Sequence, residues 1–114
     1  MSDYYPDLWV VLKVTQDTGE VWYRVFASWY GGYAGSDYWK LNSGITKTEF
    51  KEPSIMFHGT SGSIYYCHKN HYGMSSYSQS VLFAMQKQAE EVGAKVEVIW
   101  DKLEVNDWLE MEWT

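Results

Sequence analysis

The only cysteine and all three histidines of this chain lie within one segment, 58-HGTSGSIYYCHKNHYG-73. Thiolate and imidazole groups such as those of Cys67, His58, His68 and His71 are the ligands that zinc prefers. A closed zinc site needs four ligands, and these four would have to meet from both sides of a predicted strand. The chain offers no second close pair of ligands, so we expect no bound metal and no other cofactor.

The same segment could supply a cysteine nucleophile with a histidine base. A catalytic thiol needs a base within hydrogen-bond distance, so that the thiolate can form. Adjacent residues of a strand point to opposite faces, which argues against His68 but leaves His58 on a neighbouring strand. The alternative is that Cys67 is a small buried hydrophobic residue. An enzyme that uses Cys67 and His58 is therefore our third hypothesis, and we expect no catalytic residue.

Two glycine-rich segments, 31-GGYAGS-36 and 59-GTSGS-63, could enclose a small-molecule pocket floored by Tyr and Trp rings. The second segment lacks the Gly-x-Ser-x-Gly spacing of a nucleophile elbow, but its backbone amides could form a nest for an anion. The nearest cation is Lys69, and Arg24 lies in the middle of a predicted strand. A small-molecule or nucleotide pocket between these segments is our second hypothesis.

Aromatic residues are concentrated between residues 26 and 45. Because neighbouring residues of a strand point to opposite faces, their rings cannot all be buried. Exposed Trp and Tyr beside a flexible loop are typical of protein-binding hot spots, whereas the alternative is an aromatic corner of an ordinary core. Base stacking on such rings would also need a basic groove, so we expect no direct nucleic-acid binding. The predicted binding residues here are Trp29, Tyr30, Tyr33, Tyr38 and Trp39.

The negative charge lies at the end of the chain. The formal net charge of the 114 residues is −6, and residues 90–114, with eight acidic residues and two lysines, carry all of it. Such a field repels phosphates and favours basic partners, although a charged segment is often no more than a solvated face. We expect this segment to contact a partner protein through Trp108, Glu110, Glu112 and Trp113.

Hydrophobic periodicity predicts the elements that hold these residues. Alternation marks candidate strands at 8–15, 21–30 and 95–100, and glycine, proline and turn residues bound further short candidates at 38–41, 45–50, 54–58 and 63–68. Helical spacing predicts a helix over about 76–92. Ser76 with Gln79 fits a capping box, and Gly93 fits the position after the helix. Residues 101–114 fit either a short helix or a strand. The predicted class is α+β, with a mostly antiparallel sheet of about five to six short strands and one main helix packed on one face.

Length and composition fit a single domain over residues 1–114. No apolar run approaches the roughly 20 residues that a membrane span needs, and the N-terminal residues do not follow the pattern of a signal peptide. We therefore expect a cytoplasmic protein without membrane contact. An aromatic-rich sheet with one helix would leave apolar area uncovered, which is compatible with a homodimer.

Three segments, 29-WYGGY-33, 39-WKLNSGI-45 and 57-FHGTSGSIYYC-67, resemble small accessory proteins encoded by tailed phages. The resemblance implies an acidic, non-enzymatic protein of the host-takeover or anti-defence type that acts in the bacterial host cytoplasm. Our first hypothesis is therefore a binding protein that inhibits or modulates a host protein, for example a basic or nucleic-acid-binding one. The acidic segment would imitate nucleic acid towards such a partner, although true mimics carry more acid than a net −6.

Overall fold

The chain folds into two four-stranded sheets and two helices, in a computed structural model that describes residues 2–32, 35–101 and 104–113. The strands are β1 Asp3–Tyr4, β2 Leu8–Thr15, β3 Val21–Trp29, β4 Tyr38–Leu41, β5 Ile45–Lys51, β6 Ser54–Gly59, β7 Ile64–His68 and β8 Lys95–Val98. The helices are α1 Ser76–Glu91 and α2 Val105–Glu110. The predicted α+β class and the main helix are confirmed, but the described strands are more numerous than predicted and form two sheets.

The two sheets have the strand orders β1-β7-β6-β5 and β4-β3-β2-β8. Neighbouring strands are antiparallel, except that β1 runs parallel to β7. The short link 42-NSG-44 carries the chain from β4 of one sheet to β5 of the other. Gly44 has a φ of 132°, a conformation that side chains disfavour, and this explains why a glycine stands at the crossing.

The main hydrophobic core combines residues of both sheets. Alternating burial in β6 and β7 turns Ile55, Phe57, Tyr65 and Cys67 inward. The other sheet contributes Trp9, Val11, Val25 and Ala27 to the same cluster, together with Trp108 and Trp113 from the end of the chain. Each of the strands β6 and β7 therefore has one face turned to the core and one turned outward.

Strands β2 and β3 are buried on both faces, which accounts for the continuous apolar run 8-LWVVL-12. Their second face packs Val10, Leu12 and Phe26 against Leu82 of α1. The α1 helix begins one residue earlier than the capping prediction requires. Its N-cap is Ser75, whose side chain accepts a hydrogen bond from the Ser78 backbone amide, while the Ser78 hydroxyl accepts one from the Ser75 amide.

The predicted C-terminal signal of α1 is confirmed, since Gly93 follows the C-cap residue Val92 with a φ of 76°. The next strand, β8, is an edge strand of its sheet. Its Val96 carbonyl accepts a hydrogen bond from the Gln86 side chain of α1 at 3.0 Å. The side-chain amide of Gln86 thus pairs with one of the backbone carbonyls that this edge strand would otherwise leave without a partner.

Tyr72 ties β2 to the segment that follows β8. Its hydroxyl accepts a hydrogen bond from the Val11 amide at 3.2 Å and donates one to the Ile99 carbonyl. The Ile99 amide in turn donates to the Val11 carbonyl at 3.0 Å. The Tyr72 hydroxyl therefore bridges the Val11 amide and the Ile99 carbonyl, where a direct backbone hydrogen bond would continue the pairing of β2 with β8. Burial raises the pKa of Tyr72.

The ambiguous end of the chain contains a short helix, α2, and an extended segment over residues 111–113. Trp108 is the buried residue of α2, and this helix packs against β5, where the Thr48 hydroxyl donates to the Trp108 carbonyl at 2.9 Å. Neither helix of the described residues is both long and apolar enough to cross a bilayer.

Candidate functional site

Five aromatic rings lie around β1, an edge strand of its sheet, with Tyr5 and Tyr66 on one face of that edge and Tyr4, Trp29 and Tyr38 on the other; we call all five the aromatic surface. Trp29 and Tyr38 stack with their centroids 5.0 Å apart and their planes within 6°. Tyr4 meets Trp29 edge-on at 6.3 Å, and Tyr5 stacks on Tyr66 at 4.7 Å. Tyr5 is 63% exposed and Tyr38 is 52% exposed, so large parts of this surface contact solvent.

Hydrogen bonds hold the chain beneath these rings. The Trp29 indole donates to the Tyr5 carbonyl at 3.0 Å, and the Tyr30 amide donates to the Asp7 carboxylate at 2.9 Å. The Gly31 amide donates to the Asp37 carboxylate at 2.9 Å, which closes the base of the β3–β4 connection. A Cβ at Gly31 would lie 2.2 Å from the Ser36 backbone, so this closure requires a glycine.

The five aromatic binding residues predicted within and between β3 and β4 do not all lie on one surface. Trp29 and Tyr38 belong to the aromatic surface, and Tyr30 is exposed beside it. Trp39 lies on the other face of β4, where it meets Phe26 edge-on at 5.7 Å and remains 39% exposed. Tyr33 lies outside the described residues. The prediction that several of these rings are exposed is therefore confirmed for Tyr30, Tyr38 and Trp39.

Three members of the aromatic surface were missed by the sequence analysis. Tyr4 and Tyr5 form one tyrosine pair and Tyr65 and Tyr66 form another, and the parallel register of β1 with β7 places Tyr4 opposite Tyr65. Because adjacent residues point to opposite faces, each pair contributes one ring to each face of the sheet edge. The two tyrosine pairs were a visible signal, but nothing local in the sequence shows that they meet.

The structure contradicts the prediction that Trp108 and Trp113 are surface anchors. Trp108 is only 2% exposed and Trp113 only 8% exposed. Trp108 packs against Trp9 of one sheet at 5.6 Å and against Phe57 of the other at 6.0 Å, so its ring belongs to the core that the two sheets share.

The acidic residues of the same segment remain at the surface. Glu110 and Glu112 are exposed, as predicted. They lie at the end of α2 and just beyond it, and α2 packs against β5, whereas the aromatic surface surrounds β1 at the other edge of that sheet. The acidic and aromatic parts of the predicted site therefore do not form one cluster.

The proposed pair of Cys67 and His58 does not form. Cys67 is fully buried opposite Ile55 on the inner face, and burial raises the pKa of its thiol well above the ordinary value. His58 lies on the outer face, where its ring is 3.3 Å from the Glu49 carboxylate. This hydrogen bond, followed by the charge of Lys47, lowers the pKa of Glu49.

The four candidate zinc ligands are likewise spread over two faces of the sheet. His68 and His71 stack with centroids 4.0 Å apart, but Cys67 points away from them into the core. Across the described ranges no three His, Cys, Asp or Glu side chains gather in an arrangement that could hold a metal ion.

We expect Cys67 to be unreactive in the folded protein. Its thiol is buried, and its raised pKa keeps it protonated at neutral and mildly alkaline pH. Labelling by a thiol reagent should therefore be slow in buffer and rapid in concentrated guanidinium chloride, with one thiol counted by mass spectrometry. Rapid labelling of the folded protein would contradict the buried position.

The pocket predicted between the two glycine-rich segments includes Tyr33 and Ala34, which lie outside the described residues, and no hydrogen bond joins the 59–63 loop to the described residues 31, 32, 35 and 36. The 59–63 loop contacts the link 42-NSG-44 instead: the Ser61 amide donates to the Ser43 hydroxyl at 2.9 Å, and the Thr60 amide donates to the Gly44 carbonyl at 3.0 Å. The amides of Gly59 and Gly62 also have acceptors within the loop. Four of the backbone amides that were expected to form an anion nest are therefore already used.

Comparison with protein-family models, with curated proteins and with solved structures finds no match to this chain.

Proposed function

We propose that this protein acts by binding another protein through the aromatic surface around β1. The observation that carries this proposal is the stack of the half-buried Trp29 on the exposed Tyr38, joined through the Trp29 indole to the backbone carbonyl of the exposed Tyr5. Trp and Tyr are enriched at the centres of protein interfaces, where a large ring is buried at a low cost in side-chain entropy.

The rings of the aromatic surface are already held in place before any partner arrives. Trp29 is fixed by its bond to the Tyr5 carbonyl and by the rings on its two sides, Tyr4 and Tyr38. Side chains that are immobilised in the free protein lose less conformational entropy on association. This preorganisation favours a binding role over the alternative that the rings are only the corner of a core.

In this proposal the partner is a bacterial host protein, and the binding inhibits or modulates the activity of that partner. The resemblance of residues 29–33, 39–45 and 57–67 to phage accessory proteins supports the host setting. The net charge of −6 supports a basic partner, since opposite charges raise the rate of association. We expect the association rate to fall as salt is raised, because exposed charges are screened.

The double variant Tyr5→Ala/Tyr38→Ala tests the surface. Both side chains are largely exposed, so the fold should survive while a partner loses two ring contacts. We expect the Kd to rise at least tenfold, or about 1.4 kcal/mol, measured by calorimetry with the purified partner. The partner is first identified by capture from bacterial lysate on the wild-type protein.

The matched control is Phe83→Ala/Trp100→Ala, which removes two similarly exposed rings from outside the aromatic surface. A partner retained by the wild-type protein and the control but lost by Tyr5→Ala/Tyr38→Ala would support the proposal. A partner retained equally by both double variants would exclude the aromatic surface as the interface. If the wild-type protein enriches no protein at low or high salt, the proposed function is wrong.

A further inference from the structure

A second candidate site is a pocket of about 240 Å³ beside β3 and β4, closed by the loop that joins β6 to β7. The polar groups that line it are the side chains of Arg24, Lys40, Asn42, Ser43, Ser61 and Ser63. This pocket differs from the predicted one, because residues 40–43, and no described residue of 31–36, face the 59–63 loop across it.

Two cations of the pocket have no carboxylate partner among the described residues. Arg24 makes a long contact of 3.5 Å from its guanidinium to the Asn42 carbonyl. The Lys40 ammonium lies 5.3 Å from the centre of the Tyr4 ring. The salt bridges of the described chain involve other lysines and a histidine. In a protein with a net charge of −6, two cations without an acidic partner at one concavity favour an anionic ligand.

Asn42 provides an independent indication of a ligand. It is only 2% exposed, and its Oδ1 accepts a hydrogen bond from the Val25 amide at 2.9 Å. That bond fixes the orientation of the side-chain amide, and its Nδ2 is then a buried donor without an acceptor in the described structure. Buried polar groups are nearly always hydrogen-bonded, so an unpaired donor on a residue that lines the pocket favours a ligand with an acceptor group.

Three serine hydroxyls form a hydrogen-bonded series that adds one donor, Ser63, to the pocket. The Ser43 hydroxyl donates to the Ser61 hydroxyl at 3.2 Å, and that group donates to the Ser63 hydroxyl at 3.5 Å. The series of hydrogen bonds runs from Ser43 to Ser63, and the hydroxyl hydrogen of Ser63 can be donated to a ligand. A Cβ at Gly59 would lie 3.0 Å from the Ser43 hydroxyl, so the glycine at this position lets Ser43 reach the loop.

We propose that this pocket binds a phosphate monoester of a small molecule. A phosphate group carries nearly two negative charges and three acceptor oxygens, which match two cations and the neutral donors of Asn42 and Ser63. A carboxylate would bring only one negative charge to the two cations. The Tyr4 and Tyr65 rings also line the pocket and supply an apolar wall for the organic part of the ester.

The charge state of the wall is compatible with an anion. A tyrosine phenol is already neutral at physiological pH and does not repel a phosphate, and burial raises the pKa of Tyr65 further, to about 12. The proposal does not depend on protein binding by the aromatic surface, and its test uses Arg24 and Lys40 rather than Tyr5 and Tyr38.

The test is a calorimetric and thermal-unfolding titration of the full chain with adenosine 5′-monophosphate and with inorganic phosphate. Adenosine and potassium chloride at matched ionic strength are the controls. A ligand that binds only the folded state raises the unfolding midpoint by mass action. We expect both phosphates to raise it, the ester more than inorganic phosphate, and neither control to do so. A rise no larger than that with chloride would overturn the proposal, and equal effects of ester and inorganic phosphate would overturn the assignment to a monoester.

Variants locate the site. We expect Arg24→Gln and Lys40→Gln each to weaken binding of the monophosphate at least tenfold. Lys51→Gln, which removes the same charge from an exposed position on β5, should leave it unchanged. Lys40 is exposed, so its replacement does not threaten the fold. Equal weakening by Lys40→Gln and Lys51→Gln would show a general charge effect and would overturn the site.

Discussion

Replacing Trp108 by Ala is expected to lower the free energy of unfolding by about 3–5 kcal/mol, the usual cost of removing a large buried aromatic side chain. Trp108 is 2% exposed and packs against Trp9, Phe57 and Trp113 between the two sheets. A domain of this size has a total stability of roughly 5–15 kcal/mol, so the variant should lose a large share of it. Urea unfolding followed by circular dichroism measures the change.

Trp100→Ala is the matched control, because Trp100 is the same residue type, lies shortly after β8 and is 55% exposed. It still meets Tyr72 edge-on at 5.6 Å, so we expect a loss of about 1 kcal/mol or less. Similar losses for both variants would contradict the buried position of Trp108. A fully stable Trp108→Ala protein that no longer bound its partner would instead support the original prediction of a surface anchor.

Replacing Tyr72 by Phe is expected to lower the free energy of unfolding by about 1–3 kcal/mol, although it removes a single oxygen atom. The hydroxyl serves the Val11 amide and the Ile99 carbonyl at once, and neither group would have its present partner without it. The ring should stay in place, since it packs edge-on against Trp9 at 4.7 Å. Urea unfolding gives the global change, and hydrogen exchange at the Val11 amide gives the local one.

Tyr30→Phe is the comparison for this variant, because the Tyr30 side chain is 57% exposed. Removal of an exposed hydroxyl should change stability by no more than about 0.5 kcal/mol. If Tyr72→Phe changes neither the stability nor the exchange protection of the Val11 amide, the hydroxyl does not hold β2 and the segment after β8 together.

Local sequence patterns predicted most of the fold. Period-two alternation located β2 and β3 to within a residue, and helical spacing located α1. The division into two sheets was not predicted, because strand alternation shows which side of a strand is apolar but not which strands pair. The direction of Trp108 was also not predicted, since an acidic segment with three Trp residues fits an exposed face as well as a short helix over a core.

The candidate site was only partly predictable for the same reason. Exposed rings at Tyr30 and Tyr38 follow from the limited number of inward positions on short strands. The contribution of Tyr4, Tyr5 and Tyr66 depends on the parallel pairing of β1 with β7, which joins residues 3–4 to residues 64–65. The polar pocket depends on a contact between the 59–63 loop and residues 40–43. The glycine content of the sequence instead suggested that residues 31–36 lie opposite this loop.

The parallel pairing of β1 with β7 also determines when the aromatic surface comes into existence during folding. This strand has only two residues, and it can be added only after a long stretch of chain has closed. Pairings between distant segments form slowly and late. A partner that requires Tyr5 and Tyr38 together would therefore engage only chains that have finished folding, and by binding them it would hold the N-terminal strand in place.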